Sequence, residues 1–189
     1  MKVSGLPSAS TILHALLHPP EMSAGNLSTD GPGEIIDPIL ALHRSNAEQW
    51  GREDDVRKHL GNDGLVAAAK RDIDRLNHAR HAHIETIDRA ILEVIEPGRE
   101  APLVTESPGM AIDRLSILVI RLASTEAGAA SGGNDAGPLC ARVPRLQAQL
   151  DALEEAIATL LCDLATGTRQ FTAHESLKLY GPPGPERGG

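Results

Sequence analysis

The stretch SPGMAIDRLSILVIRL, from Ser107 to Leu122, decides the fold. Ser107 before Pro108 marks a helix start. The serine side chain caps the first free N–H groups, and proline fits the first helical position, where no N–H is needed. From Ile112 onward, Leu115, Ile117, Leu118, Val119, Ile120 and Leu122 leave almost no polar face. A buried strand competes for such a run, but the proline start and the length favour a helix. A helix apolar nearly all round belongs at the centre of a bundle. Asp113 and Ser116 interrupt it, three residues apart and so on one side.

Toward the N-terminus, a long helix is expected from Asn62 or Asp63 to Pro97-Gly98. Its apolar positions Leu65, Ala69, Ile73, Leu76, Ile84, Ile87, Ile91 and Val94 recur mostly at steps of three or four, forming one buried stripe. Arg80 fills the missing step in that stripe. Before it, Asp37-Pro38 reads as another cap and first-turn proline, with Ile39, Leu42, Trp50 and Val56 on the buried side and a possible kink at Gly51. Residues 21–33 read as loop, and Ser8 to His18 as a short first helix.

Toward the C-terminus, residues 127–138 (AGAASGGNDAGP) read as a flexible loop. Leu139 to Ala165 follows as the last long helix, with a heptad-like seam of Leu146, Leu150, Leu153, Ile157, Leu160 and Leu164, and Gly167 as its stop. The tail carries Phe171 and Tyr180. The fold class is therefore all-α: an antiparallel bundle of three to four long helices plus a short N-terminal helix. Residues 1–33 form a flexible N-terminal segment, 34–167 the bundle and 168–189 an irregular tail.

Composition narrows the function. A net charge of −8 over 189 residues argues against nucleic acid, which needs a basic surface, and three aromatic residues argue against base stacking. No apolar run approaches the roughly 20 residues of a membrane span, and Met1 to His18 does not read as a signal peptide. Two cysteines, Cys140 and Cys162, build neither a disulfide framework nor a zinc site. A cytoplasmic setting with no membrane and no nucleic-acid partner is expected.

The long central helix also carries an ionisable ribbon: Lys70, Asp74, Asn77, His81, Glu85 and Asp88, each one residue past the apolar stripe. It reads either as a solvated face with i,i+4 pairs or as the border of a polar cavity. Arg80 requires a partner, because an unpaired buried charge is very costly, and Asp113 is the expected one. That pair reads equally as a structural ion pair or as part of an active site. His78, His81 and His83 do not share one face, so no metal is expected. The free N–H groups at Ser107-Pro108-Gly109 can hold an anion or merely form a cap. Neither cysteine has an adjacent base, and no phosphate-cradling glycine loop or nucleophile elbow is present.

Several segments together carry a family resemblance. They are Glu53-Asp54-Asp55-Val56-Arg57, Lys70 to Asn77, Arg80, Ile84-Glu85, Ile87-Asp88, Glu106 to Leu118, Gly167 to Phe171 and Lys178-Leu179-Tyr180. In that order they resemble the bacterial family known as domain of unknown function 4254, over about residues 35 to 182. The Ser-Pro-Gly…Ile-Asp-Arg-Leu-Ser-Ile-Leu block is the most specific part. The chain departs from the pattern at His81, where the family more typically has Asn, and at Leu122-Ala123, where an aromatic pair is usual.

The resemblance implies a helical protein, often encoded beside glycosyltransferases or in small-molecule biosynthetic clusters, with many polar residues in its signature. It implies a polar cavity lined by Lys70, Asn77, Arg80, Glu85, Asp113, Arg114 and Ser116. The expected function is a small biosynthetic enzyme or enzyme subunit, in secondary metabolism or glycan assembly, that binds an anionic small molecule. Arg80 and Arg114 would hold the anion. Glu85, His81 and Asp113 are the candidate catalytic residues, Glu85 or His81 moving a proton in a transfer or ring-closing elimination without a cofactor. The alternative is a non-catalytic subunit that docks a biosynthetic partner or a second copy through the Leu146–Leu164 seam. A chorismate-mutase-like isomerase is a remote third reading, carried only by Ile73-Asp74, Ile87-Asp88 and Arg80.

Overall fold

The chain opens with a capped turn. Ser8 accepts the Thr11 N–H at 3.1 Å and starts α1, Ala9–Leu17. The computed structural model describes residues 5–20, 33–59, 61–96, 98, 100–133 and 135–175. The expected loop, up to residue 32, and Tyr180 lie outside the described residues. The further helices are α2 (Gly33–Lys58), α3 (Asp63–Val94), α4 (Pro108–Ala130), α5 (Ala136–Cys140) and α6 (Val143–Ala165). Among the described residues no strand forms. The sole pairing of that kind is an isolated parallel bridge between Leu103 and Gln170. The protein is all-α.

The cap read at Ser107 is made and the long helix starts on a cap at Asn62, whereas the cap expected at Asp37 is not made, because Asp37 lies inside α2. Asn62 accepts the Leu65 N–H at 3.2 Å, and Ser107 accepts the Met110 N–H at 3.4 Å. Gly167 takes φ +70, a left-handed conformation that costs glycine nothing, and its N–H closes onto Leu164 O at 3.1 Å.

Three boundaries differ from the sequence reading. Pro38 does not start α2 but lies inside it, in the second turn. There the missing N–H removes one helical bond close to an end where free N–H groups are already the rule, and the rest of the helix propagates past it. α2 also runs through Gly51 as one element. The loop expected at 127–138 is shorter, because α4 continues to Ala130 and α5 begins at Ala136. Its alanines are good helix formers and carry α4 past the glycine. The last helix is split at Ala141-Arg142 into α5 and α6.

The α2–α3 turn is short, so the two helices pack antiparallel. Arg52 faces Asp72 at 3.5 Å, Arg75 faces Glu48 at 3.6 Å and Ser45 donates to Leu76 O at 3.5 Å. α4 runs antiparallel to α3 in turn, with Arg80 against Asp113 and Asp88 against Gly109. As its apolar character requires, α4 touches every other helix. Ile112, Leu115, Val119 and Leu122 of α4 meet Ile39 and Leu42 of α2, Ile84, Ile87 and Ile91 of α3, and Leu150, Ile157 and Leu164 of α6 in one core. Burial of each such side chain contributes about 1.5–3 kcal/mol.

The stripe on α3 is buried only over its central part. Leu76 to Ile91 are sealed, whereas Leu65 is 49% and Val94 38% exposed. Trp50 and Val56 are likewise only half-buried. The Leu146–Leu164 seam packs within the chain, against α4 and α1, with Leu150, Ile157 and Leu164 fully buried and Leu146, Leu153 and Leu160 beside them. From Thr168 to Glu175 the chain is irregular but lies on the bundle. Phe171 is buried, Val104 N–H bonds Gln170 O at 2.9 Å, and His174 N–H bonds Asp88 Oδ2 at 2.8 Å.

Candidate functional site

α2 is the helix whose chemistry the sequence concealed. His43, Asn46, Trp50, Glu53 and Arg57 follow steps of three and four, so they share one face. That face meets Asp113 and Ser116 of α4 and Arg80 of α3. Arg80 grips Asp113 through two parallel bonds, Nε to Oδ1 at 2.8 Å and a terminal nitrogen to Oδ2. This is the fork geometry that favours arginine over lysine. Asp113 is 3% exposed. The hydrogen bond to Asp113 raises the Arg80 pKa above its ordinary value against the opposing effect of burial.

The network continues inward. Asn46 Nδ2 donates to Asp113 Oδ1 at 3.0 Å and to Ser116 Oγ at 3.1 Å, and Ser116 Oγ lies 2.9 Å from His43 Nδ1. Burial, and next the charge of Arg44, lowers the His43 pKa, so the imidazole is neutral. Five side chains from three helices thus join in the middle of an apolar bundle, each with a partner.

This network floors a cavity of about 170 Å³ lined by Asn46, Gln49, Trp50, Glu53, Arg80, Ile117 and Arg121. Two neighbouring cavities share Arg121 with it. One, of about 650 Å³, runs between α4 and α6 along Arg114, Ile117, Leu118, Gln149, Leu153 and Ala156. The other, of about 520 Å³, lies between α2, α4 and the α5–α6 junction and also includes Trp50. Arg114, Ile117, Arg121 and Ser124 or Thr125 repeat at three and four on α4 and make the common wall.

The family follows from the whole chain. The DUF4254 family, described as "Protein of unknown function", matches residues 21–173, most of the chain. The chain belongs to that family. The match begins earlier than the residues 35 to 182 expected from the sequence and leaves Lys178-Leu179-Tyr180 outside. The comparisons with curated proteins and with solved structures give no match.

Within this DUF4254 member the expected site residues divide. Arg80, Asp113 and Ser116 come together as described. Asn77 is half-buried but does not line the cavity, and Lys70 is exposed toward the far end of α3. Arg114 is exposed and paired with Glu106 at 2.5 Å, on the wall of the α4–α6 cavity. Glu85 pairs with Arg89 on the outside of α3. His81 is exposed and stacks on His174, Nδ1 to Nε2 at 3.0 Å. Its pKa is lowered first by desolvation and then by His174 and Arg80. The ribbon therefore faces mainly outward, apart from Asp88, because α2 and α4 pack on the other flank of α3.

Asp88 also answers the question of the α4 N-terminus. It is completely buried and accepts the Gly109 N–H at 2.7 Å. The anion at that helix start is the chain's own carboxylate. Gly109 permits the approach, since a Cβ there would lie 2.7 Å from Ile84 O. Cys140 and Cys162 are free and exposed. Among the described residues no group of three His, Cys, Asp or Glu side chains is placed to hold a metal, and no helix is long and apolar enough to cross a membrane.

The sequence reading missed His43, Asn46, Gln49 and Trp50 as site residues, and left Glu53 among the signature residues without a role. The three-four spacing on α2 carried the signal, but its strong apolar anchors drew attention to the opposite flank.

Proposed function

We propose that this protein binds an anionic small molecule in the cavity above the Arg80–Asp113 pair and acts on it by proton transfer, as a small enzyme or enzyme subunit of a biosynthetic pathway. The observation that carries this reading is the network itself. Five polar side chains in a bundle core are costly to desolvate, and the cavity they floor opens on Glu53, Gln49 and Arg121. Arg80 is held in place by Asp113, so its remaining N–H groups present fixed positive charge to a carboxylate, phosphate or sulfate, and Arg121 adds a second arginine to the same lining. Glu53, which accepts from Gln49 at 3.3 Å, is the group placed to move a proton. It takes the role that the sequence reading gave to Glu85 or His81. In a transfer, Glu53 takes the proton of the attacking group as its new bond forms and the bond to the anionic leaving group breaks, the anion departing onto the arginines; in a ring closure the attacking group belongs to the same molecule.

The test is a thermal-shift screen of the intact chain against carboxylate, phosphate and sulfate metabolites. Chorismate belongs in the panel because it is a dicarboxylate. A ligand at 100 times its Kd adds about 2.7 kcal/mol of stability. The ligand that shifts the melting point should be converted by the wild type and not by Glu53→Gln, with the fold of the variant unchanged. No shift with any member of the panel, or conversion that survives Glu53→Gln, overturns the reading.

A further inference from the structure

The 520 Å³ cavity beside the network is lined by four arginines, Arg57, Arg121, Arg142 and Arg145, in a chain of net charge −8. Among the described residues Asp54 is the one carboxylate that lines it, and Arg57 is bonded to that carboxylate. The other three arginines carry no such bond. Arg52, Arg57, Arg75, Arg80, Arg89 and Arg114 each pair with an acidic side chain. Among the described residues, Arg121, Arg142 and Arg145 make no ion pair and no side-chain hydrogen bond. They converge on one concavity from α4 and the α5–α6 junction.

In an acidic protein, positive charge that could have been neutralised from many sides is left open in one hollow of ligand size. Three unpaired forks match an anion with several oxygens and more than one charge, which a single carboxylate does not supply. Ser124 adds a hydroxyl on the same wall. Trp50 borders both this cavity and the smaller one above Arg80, and Arg121 borders both as well. A ligand can therefore rest its anionic end on the arginines while its organic part passes Trp50 to the Arg80–Asp113 floor.

The geometry points to a phosphate-ester site: Arg121, Arg142 and Arg145 bind the phosphate or diphosphate group of an organic substrate whose reacting part faces Arg80 and Glu53. This rests on the proposed function for the second half of the statement only. The phosphate-binding half stands on the cavity alone.

The experiment uses the sole tryptophan, Trp50, as reporter. The intact chain is titrated with inorganic pyrophosphate at low ionic strength while Trp50 fluorescence is followed, with calorimetry as a second readout. Saturable binding is expected, weakened at least tenfold in Arg142→Gln/Arg145→Gln and retained in Glu53→Gln. Arg169→Gln, which removes an exposed arginine outside the cavity, should leave the affinity within twofold. Absence of saturable binding, equal affinity in the double variant, or an equal loss in Arg169→Gln overturns the site. Succinate serves as the carboxylate probe. If it binds in an Arg80-dependent way while pyrophosphate does not bind, this inference fails and the proposed function survives. If pyrophosphate binds as stated and no metabolite is converted, the catalytic reading fails and the site survives.

Discussion

Two arginine environments meet at Trp50. On one side Arg80 is locked to a buried aspartate, and its neighbours Asn46, Ser116 and His43 complete each other. On the other, Arg121, Arg142 and Arg145 stand in an open hollow without a carboxylate partner. The first arrangement is self-sufficient, so its removal should be felt in stability. The second lacks its counter-charge, so its removal should be felt only when an anion is present.

The largest effect is expected from Asp113→Ala. It leaves Arg80 and Asn46 without their acceptor in a buried place and should cost about 3 kcal/mol in urea denaturation. Asp88→Ala comes next. The buried Gly109 N–H is orphaned, at about 1–3 kcal/mol, and the half-buried His174 N–H also loses its acceptor but can turn to water. Hydrogen exchange at the His174 amide should accelerate far more than exchange in α6. Gly109→Ala drives a Cβ to 2.7 Å from Ile84 O and should destabilise by about 1–3 kcal/mol. If Asp113→Ala changes stability no more than a surface substitution, the closed network is not what ties α2, α3 and α4 together.

The open side inverts the pattern. Arg142→Gln/Arg145→Gln should change stability by no more than about 0.5 kcal/mol without ligand, since exposed unpaired side chains contribute little. A loss comparable to that of Asp113→Ala would show these arginines to be structural and erase the comparison.

The smallest effect is the pH dependence. His43, His81 and His83 all have their pKa lowered below the ordinary 6.5, in each case first by desolvation. The folded chain then holds fewer protons than the unfolded chain near and below that pH, so stability should fall as pH drops through about 6.5 and below. His43 is the group in the closed network. Protonating it puts an N–H on both ring nitrogens and a positive charge into the buried network. Melting curves between pH 8 and pH 5 should show the decline, and His43→Gln should flatten it more than His81→Asn does. A melting point that rises on acidification contradicts the assignment of neutral imidazoles.

Much of the fold was legible because it rests on local rules. Ser8, Asn62 and Ser107 cap helices where short polar side chains precede apolar periodicity, and Gly167 ends one where a left-handed turn is needed. The Arg80–Asp113 pair was legible for a different reason: a charge in an apolar stripe must find its opposite, and few were on offer. Boundaries were lost where two rules competed. Pro38 signalled a start, yet one missing bond near a helix end is a weak penalty. The alanines around Gly128 outweighed the loop signal of the glycines that follow.

The site was legible only in part, because a helix face is polar for two reasons that look alike in a sequence. The ribbon from Lys70 to Asp88 and the α2 face from His43 to Arg57 have the same spacing. One is mostly solvated and the other builds a cavity, depending on which flank α4 covers. By itself the sequence determined the helices, their caps, the central place of α4 and the need to pair Arg80, since each follows from contacts a few residues apart or from the cost of a buried charge. Only the tertiary structure decided that His43 and Asn46 complete that pair, that Asp88 fills the start of α4 and that Arg121, Arg142 and Arg145 share one hollow. These depend on contacts between residues tens of positions apart, and helical periodicity has no record of such distances.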